Sequence, residues 1–219
     1  MKIDVISDTI CPWCFIGKRR LERALAEHPD LEPEIVWHPF QLNPDMPPEG
    51  MDREMYLQIK FGGPTRAKEV YSVITDAASG EALDFKLDEI GRTPSTLDSH
   101  RLVHFSEARG RQQAVVEGLF KAYFEKGADV GSAETLAAIA RDAGLDYDEV
   151  LAYLESDEDV ELIRLRDQRA RTMGVNGVPC FIVNDKYAIS GAQDPEVFQQ
   201  VFAVAQQDEK AAQTQAAAE

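Results

Sequence analysis

A Cys-Pro-Trp-Cys motif at residues 11–14 contains the side chains of this sequence best suited to covalent chemistry. It follows an apolar run, 3–6, that predicts a buried strand, and it precedes a segment, 15–27, that predicts a helix. A helix N-terminus offers unpaired N–H groups and the positive end of the helix dipole, which stabilise a thiolate. We therefore predict an exposed, attacking Cys11 and, on the core-facing side of the helix, a resolving Cys14.

A Cys-x-x-Cys pair can also be half of a zinc site, but structural zinc requires a second pair of ligands at close spacing. The remaining cysteine is Cys180, far along the chain. His100 and His104 lie one turn apart on a predicted helix, with no cysteine pair near them in the sequence. The sequence therefore predicts no metal site and favours redox chemistry of the dithiol.

Composition excludes several classes of partner. The 219-residue chain carries 39 acidic and 23 basic residues, a formal net charge of -16, which repels the phosphates of nucleic acids. It has no apolar run of the length that a membrane helix needs, and its first residues enter the predicted strand with no signal peptide. We expect a cytoplasmic protein, and in that compartment a dithiol is more often catalytic than structural.

The order of predicted elements divides the chain into two flanks and a middle. Each flank supplies strands to one small mixed sheet, β-α-β first and β-β-α last, and the middle is helical throughout. Proline and glycine between 41 and 50 mark the first junction. The predicted strands are 2–7, 34–39, 180–183 and 187–190, and the predicted helices are 11–28, 52–61, 65–78, 96–108, 112–126, one beginning near 132, 146–154, 157–171 and 194–205.

These elements predict a discontinuous domain with an insertion. Residues 1–49 and 174–206 form the sheet-containing domain, and residues 50–173 form a large all-helical insertion domain. The tail, 207–219, is rich in alanine, glutamine and glutamate, so we expect it to be disordered or a frayed helical extension.

Taken together, the motifs resemble the DsbA-like thioredoxin superfamily, and in detail its FrnE-type members. The resemblance implies an α/β thioredoxin fold carrying the helical insertion. It also extends to 2-hydroxychromene-2-carboxylate isomerases and kappa-class glutathione transferases, which carry serine at the position of Cys11. The segments that match are Asp-Thr-Ile-Cys-Pro-Trp-Cys at 8–14, Pro-Phe-Gln-Leu-Asn-Pro at 39–44, His-Arg-Leu at 100–102, Leu-Phe-Lys-Ala-Tyr-Phe at 119–124, Gly-Val-Asn-Gly-Val-Pro at 174–179 and Ser-Gly-Ala-Gln at 190–193.

The resemblance also implies how the site is built. Pro179 would be cis and face the dithiol, and the main chain of Val178 would lie beside Cys11, free to pair with an extended substrate. An ordinary trans proline at a strand start is the alternative. Pro12 and Trp13 lie between the two sulfurs, where Pro12 would contact substrate. Trp13 is either an exposed aromatic residue that contacts substrate, as we favour, or simply the spacer between the cysteines.

Two other residues have open roles. Cys180 follows the proline directly, where relatives usually place a bulky apolar residue. It is either a third redox sulfur or, as we favour, a small buried hydrophobic residue. His100 either packs in the core or lines the cleft opposite Cys11.

The activity implied is thiol–disulfide exchange, in the reductase or isomerase direction, with no cofactor and with a protein thiol or disulfide, or glutathione, as partner. A glutathione-dependent isomerase or transferase acting on small aromatic molecules is the first alternative. A non-enzymatic zinc-holding or chaperone-like binding module is the second.

Overall fold

A computed structural model describes residues 1–216 of the chain, in which strands near both ends flank a largely helical middle. Among these residues, no helix is both long and apolar enough to cross a bilayer. The strands are β1 (Lys2–Ser7), β2 (Glu34–Pro39), β3 (Met51–Asp52), β4 (Arg92–Thr93), β5 (Cys180–Val183) and β6 (Tyr187–Ser190). The helices are α1 (Pro12–Ala26), α2 (Arg53–Phe61), α3 (Pro64–Gly80), α4 (Leu97–Glu107), α5 (Gln112–Lys126), α6 (Ala133–Asp142), α7 (Tyr147–Glu155), α8 (Val160–Thr172) and α9 (Pro195–Ala216), with a short 3-10 turn at Leu87–Glu89.

The main sheet has the strand order β2-β1-β5-β6 and a mixed direction. β1 pairs parallel to β2, as a β-α-β unit requires, and antiparallel to β5, which continues into β6 as a hairpin. In this register Ile6 lies opposite Cys180. The architecture confirms the predicted α/β thioredoxin fold with a helical insertion.

Helices α2 to α8 lie between β2 and β5 in the chain, as the sequence predicts for 50–173. The prediction of helices alone is wrong in one respect, because β3 and β4 form a two-residue antiparallel ladder, with Met51 opposite Thr93. A strand of two residues is too short to show alternation, so no periodic signal marks it. The domain limits at 49/50 and 173/174 stay predictions.

The last helix extends well past the predicted end at 205. α9 continues to Ala216, so residues 207–216 are helical rather than disordered, and the rest of the predicted tail, 217–219, lies outside the described residues. Alanine, glutamine and glutamate favour helix. The extension also contacts the β5–β6 turn, where the Asn184 amide donates to Glu209 over 2.7 Å and the Tyr187 hydroxyl bonds Asp208.

An aromatic cluster joins the first helix to the insertion. The ring of Phe15, on α1, stacks on Phe120 of α5 with centroids 5.0 Å apart and lies 5.9 Å from Phe85. Phe124 stacks on Phe85 in turn, at 4.9 Å. Since all these rings are buried, the helix that begins at the dithiol shares one core with the insertion.

Candidate active site

Cys11 occupies the N-cap position of α1, and Pro12 begins the helix. The turn is held by main-chain hydrogen bonds: the Cys11 N–H donates to the Asp8 carbonyl over 3.1 Å, and the Cys14 N–H donates to the Cys11 carbonyl over 3.0 Å. Proline at the first helical position loses no hydrogen bond. The local sequence therefore fixes the dithiol at the positive end of the helix dipole, as expected.

The Cys11 thiol lies beneath the main chain of a distant segment. Its Sγ donates to the Val178 carbonyl over 3.6 Å, across 167 positions of sequence. Only 4% of the residue is exposed. The expected exposure of Cys11 is therefore wrong in this structure, because the loop before β5 lies over the sulfur.

Cys14 lies deeper and is fully buried. Burial raises the pKa of the Cys14 thiol well above its ordinary value, and the adjacent Cys11 sulfur raises it further. Hydrogen bonds from the Ser7 side chain and the Asp8 main chain act in the opposite direction. Cys14 therefore keeps its proton at neutral pH. Both sulfurs, like that of Cys180, are free thiols.

The Val178–Pro179 peptide bond is cis, and the proline ring packs directly on α1. A β-carbon added to Gly17 would stand 2.9 Å from the Pro179 ring and 3.1 Å from the Phe181 ring. Glycine at this position therefore allows α1 to approach the loop closely. Trp13, next to the sulfurs, is half-buried and packs against the core.

Cys180 packs in a different apolar cluster from the dithiol. It begins β5 and lies in a small apolar cluster with Phe40, Ala170 and Val175, whereas Cys11 and Cys14 belong to the main core. Burial raises its pKa, so the thiol stays protonated. A buried, protonated thiol is a weak nucleophile.

Asp8 also lies at this site, although it is not among the site residues predicted from the sequence. The carboxylate is completely buried, its Oδ2 accepts the Leu42 N–H over 2.7 Å, and its Oδ1 lies 3.4 Å from Nε2 of His100. Beside them the Thr9 and Ser99 hydroxyls share a hydrogen bond of 2.7 Å. The signal that was available is an acidic residue three positions before Cys11 in an otherwise buried segment.

His100 thus faces the loop before the dithiol, whereas His104 does not. The His104 ring points to Arg166, 3.2 Å from its guanidinium, and to Glu107. Within residues 1–216, no group of three or more histidine, cysteine or acidic side chains is close enough to hold a metal ion.

A turn that presents two thiols at a helix N-terminus, beside a proline loop and on this mixed sheet, defines a thioredoxin-fold protein. The chain belongs to the DSBA-like thioredoxin domain family, whose model matches residues 2–203. A probable DsbA oxidoreductase of Streptomyces coelicolor is 33% identical, with a TM-score of 0.85 over 94% of this chain and 89% of that one.

Two further relatives match over most of the chain. The uncharacterized protein YwbO of Bacillus subtilis is 26% identical over 202 residues, 91% of this chain and 94% of that protein. The cytosolic disulfide reductase DsbM of Pseudomonas aeruginosa, solved with glutathione, has a TM-score of 0.66 at 14% identity, covering 93% of this chain and 98% of its own. At that identity the likeness to DsbM shows the fold alone.

Proposed function

We propose that this protein is a thiol–disulfide oxidoreductase that uses Cys11 and Cys14. The observation that carries the proposal is the asymmetry of the two sulfurs. Cys11 lies at the helix N-terminus beside the Val178 carbonyl, while Cys14 is fully buried and keeps its proton. One sulfur is suited to attack and the other to a later, intramolecular step. Membership of the DsbA-like family supports the same class of chemistry.

The exchange proceeds in two displacements. The Cys11 thiolate attacks a substrate disulfide, a Cys11–substrate disulfide forms, and the released substrate sulfur leaves as a thiolate that takes up a proton. Cys14 then loses its proton and attacks the Cys11 sulfur. The Cys11–Cys14 disulfide forms as the second substrate thiol leaves. The substrate disulfide gains two electrons and the dithiol loses two.

The surroundings suit an extended substrate. The main chain of Val178 lies beside Cys11, so a peptide segment can pair with it as an added strand while half-buried Pro12 and Trp13 contact its side chains. A cleft between the segment after β2 and the helices α4 and α8 offers further space for the substrate. Its lining includes Gln41, Met46, Leu97, Arg164 and Asp167.

Glutathione is the proposed co-substrate, and the cytoplasm the proposed compartment. Two glutathione molecules would reduce the Cys11–Cys14 disulfide and become one glutathione disulfide, which closes the cycle without a bound cofactor. The fold shared with a glutathione-bound cytosolic disulfide reductase supports this choice. Protein disulfides of that compartment would then be reduced or isomerised.

The test is reduction of insulin disulfides with dithiothreitol as the electron source. We expect the protein to accelerate the reaction and Cys11→Ser to abolish the acceleration. Equal rates for the two proteins would reject the proposal. Cys180→Ser serves as the matched control, since it removes a buried sulfur that the exchange does not use.

Cys14→Ser separates this proposal from the isomerase alternative. Without the resolving sulfur, the Cys11–substrate disulfide accumulates, so mass spectrometry should detect a covalent adduct after incubation with glutathione disulfide. The isomerase or transferase alternative needs one activated group, so its turnover would persist in this variant. A 2-hydroxychromene-2-carboxylate isomerase shares the fold of this chain. Turnover of an aromatic substrate without adduct formation would favour the alternative.

A further inference from the structure

Two buried polar atoms face each other next to the dithiol without a hydrogen bond. Oδ1 of Asp8 and Nε2 of His100 lie 3.4 Å apart, and within residues 1–216 neither atom has a hydrogen-bond partner. Asp8 is fully buried and His100 is 4% exposed. Since nearly all buried polar groups are paired, such atoms call for a physical explanation. A proton between the imidazole and the carboxylate would satisfy both.

The position of Asp8 gives this pair influence over the sulfurs. Its main chain contacts both cysteines: the Asp8 carbonyl accepts the Cys11 N–H, and the Cys14 sulfur accepts a hydrogen bond from the Asp8 main chain. Because the Asp8 carboxylate is fully buried, a negative charge on it is poorly screened and acts on a thiolate formed at this turn. His100 comes from α4, which the Thr9–Ser99 hydrogen bond fastens to the same loop.

We propose that Asp8 and His100 form an ion pair whose proton sets how readily the reduced dithiol becomes a thiolate. The inference rests on the proposed function, because it concerns the reactivity of the same sulfurs. With the proton on His100, the Asp8 charge is balanced and a neighbouring thiolate is tolerated. When that proton passes to solvent, the unbalanced carboxylate repels the thiolate. Histidine is the side chain that changes charge between about pH 5 and 8.

Charged side chains on the neighbouring elements already have charged or hydrogen-bonding partners. The paired groups on the neighbouring elements are Asp4 with Lys2 and His38 on β1 and β2, Asp98 with Arg101 on α4, His104 with Glu107 and Arg166, and Asp167 with Arg171 on α8.

The proposal predicts opposite effects for its two members. Asp8→Asn keeps an oxygen for the Leu42 N–H but removes the charge, so the thiolate-to-thiol ratio of the reduced protein should rise about tenfold at neutral pH. His100→Gln leaves the carboxylate unbalanced, so the ratio should fall in mildly acidic solution and stay unchanged in alkaline solution. The ultraviolet absorbance of the thiolate measures both. A merely structural disturbance would not move the two variants in opposite directions.

Matched controls exist for each substitution. Asp167→Asn alters a second buried aspartate that accepts a neighbouring main-chain N–H, that of Gln41 at 2.7 Å, but is paired with an arginine. His104→Gln alters the histidine one turn further along α4. Both controls should leave the thiolate titration where it is. Shifts in the controls equal to those of Asp8→Asn and His100→Gln would overturn the proposal.

A measurement on the unchanged protein covers the case in which a variant does not fold. The imidazole of His100, followed by NMR, should titrate at higher pH when Cys11 and Cys14 are reduced and partly ionised than when they form a disulfide, since the coupling is reciprocal. Equal titrations in both states would overturn the inference. Neither the thiolate absorbance nor the NMR titration involves a substrate. Failure of the protein in the insulin assay would therefore refute the proposed function but would not test the coupling of Asp8 and His100 to the dithiol.

Discussion

Arg101 shows how one side chain can organise its neighbourhood. The residue is 1% exposed, and its guanidinium contacts the carboxylate of Asp98 at 2.8 Å. The carbonyls at the end of α7 have no partner within that helix, so an arginine that reaches them replaces water. The main-chain oxygens that accept its N–H groups are those of Tyr153 at 2.7 Å, Leu154 at 3.0 Å, Ser156 at 2.8 Å and Glu158 at 2.8 Å.

Arg101→Met should lower the free energy of unfolding by roughly 3–5 kcal/mol, because several buried carbonyls lose their donor at once. Urea denaturation followed by circular dichroism measures the change. The control is Arg109→Met, two residues beyond the end of α4. The guanidinium of Arg109 is exposed and bonds the Phe105 carbonyl and the Glu149 carboxylate. A loss no greater than that of the control would contradict the interpretation.

Cys180 provides a second test on one side chain. Cys180→Ala should leave insulin reduction unchanged and lower the free energy of unfolding by about 1 kcal/mol, because it removes a small buried group. A loss of turnover in a variant that denatures at the wild-type urea concentration would instead make Cys180 a third redox sulfur.

Among the elements, α1 and the loop before β5 depend on close contact. Gly17 lies on the face of α1 that touches Pro179, and there is no room there for a β-carbon. The neighbouring atoms belong to a proline ring, a phenylalanine ring and the main chain of Ala192, none of which moves easily. The separation between the dithiol and the Val178 carbonyl therefore depends on a residue without a side chain.

Gly17→Ala should cost roughly 1–3 kcal/mol of stability and slow insulin reduction, since the loop must move away from the helix. Thermal denaturation and the insulin assay measure the two effects. Gly80→Ala, at the end of α3, is the control, because nothing lies within 4 Å of its added carbon. There alanine should be neutral or stabilising by about 0.4–1 kcal/mol. Equal behaviour of the two variants would refute the packing argument.

Across the whole molecule, a charge cluster ties the sheet-bearing part to the insertion. Glu117 of α5 accepts from Lys18 over 2.7 Å and from Arg19 over 3.0 Å, both on α1, and lies 3.1 Å from Lys121. Burial alone would raise the pKa of Glu117, but these cations prevail and lower it from 4.5 to about 2. The folded state therefore binds its proton less readily than the unfolded chain does.

Because the folded pKa is lowered, the contribution of Glu117 is complete above about pH 4.5 and disappears as the pH falls toward about 2. Glu117→Gln should cost roughly 1–2 kcal/mol near neutral pH, allowing for partial exposure. The difference from the wild type should shrink on acidification. Urea denaturation at a series of pH values measures it.

The control for this prediction is Glu22→Gln. Glu22 also contacts Lys18 and Arg19, but its side chain is 46% exposed. We expect a small effect with little dependence on pH, since exposed ion pairs contribute little. A pH-independent loss in Glu117→Gln would contradict the assignment to its charge.

Most of the fold could be predicted, because helices and strands are marked by short-range patterns. The bounds of β5, β6 and α5 agree with the prediction, since clear turns flank them. The two-residue strands β3 and β4 could not be predicted, because they exist only as each other's partners.

The chemistry divides in the same way. A dithiol at the beginning of a helix follows from neighbouring residues, so the sequence alone was enough to place Cys11 and Cys14 there. Two other contacts join segments that are far apart in the chain. The Val178 carbonyl lies against the Cys11 sulfur, and the Asp8 carboxylate faces the His100 imidazole. Such contacts leave no periodic trace, because they arise when the sheet and the insertion pack around one core, and only the folded structure decides them.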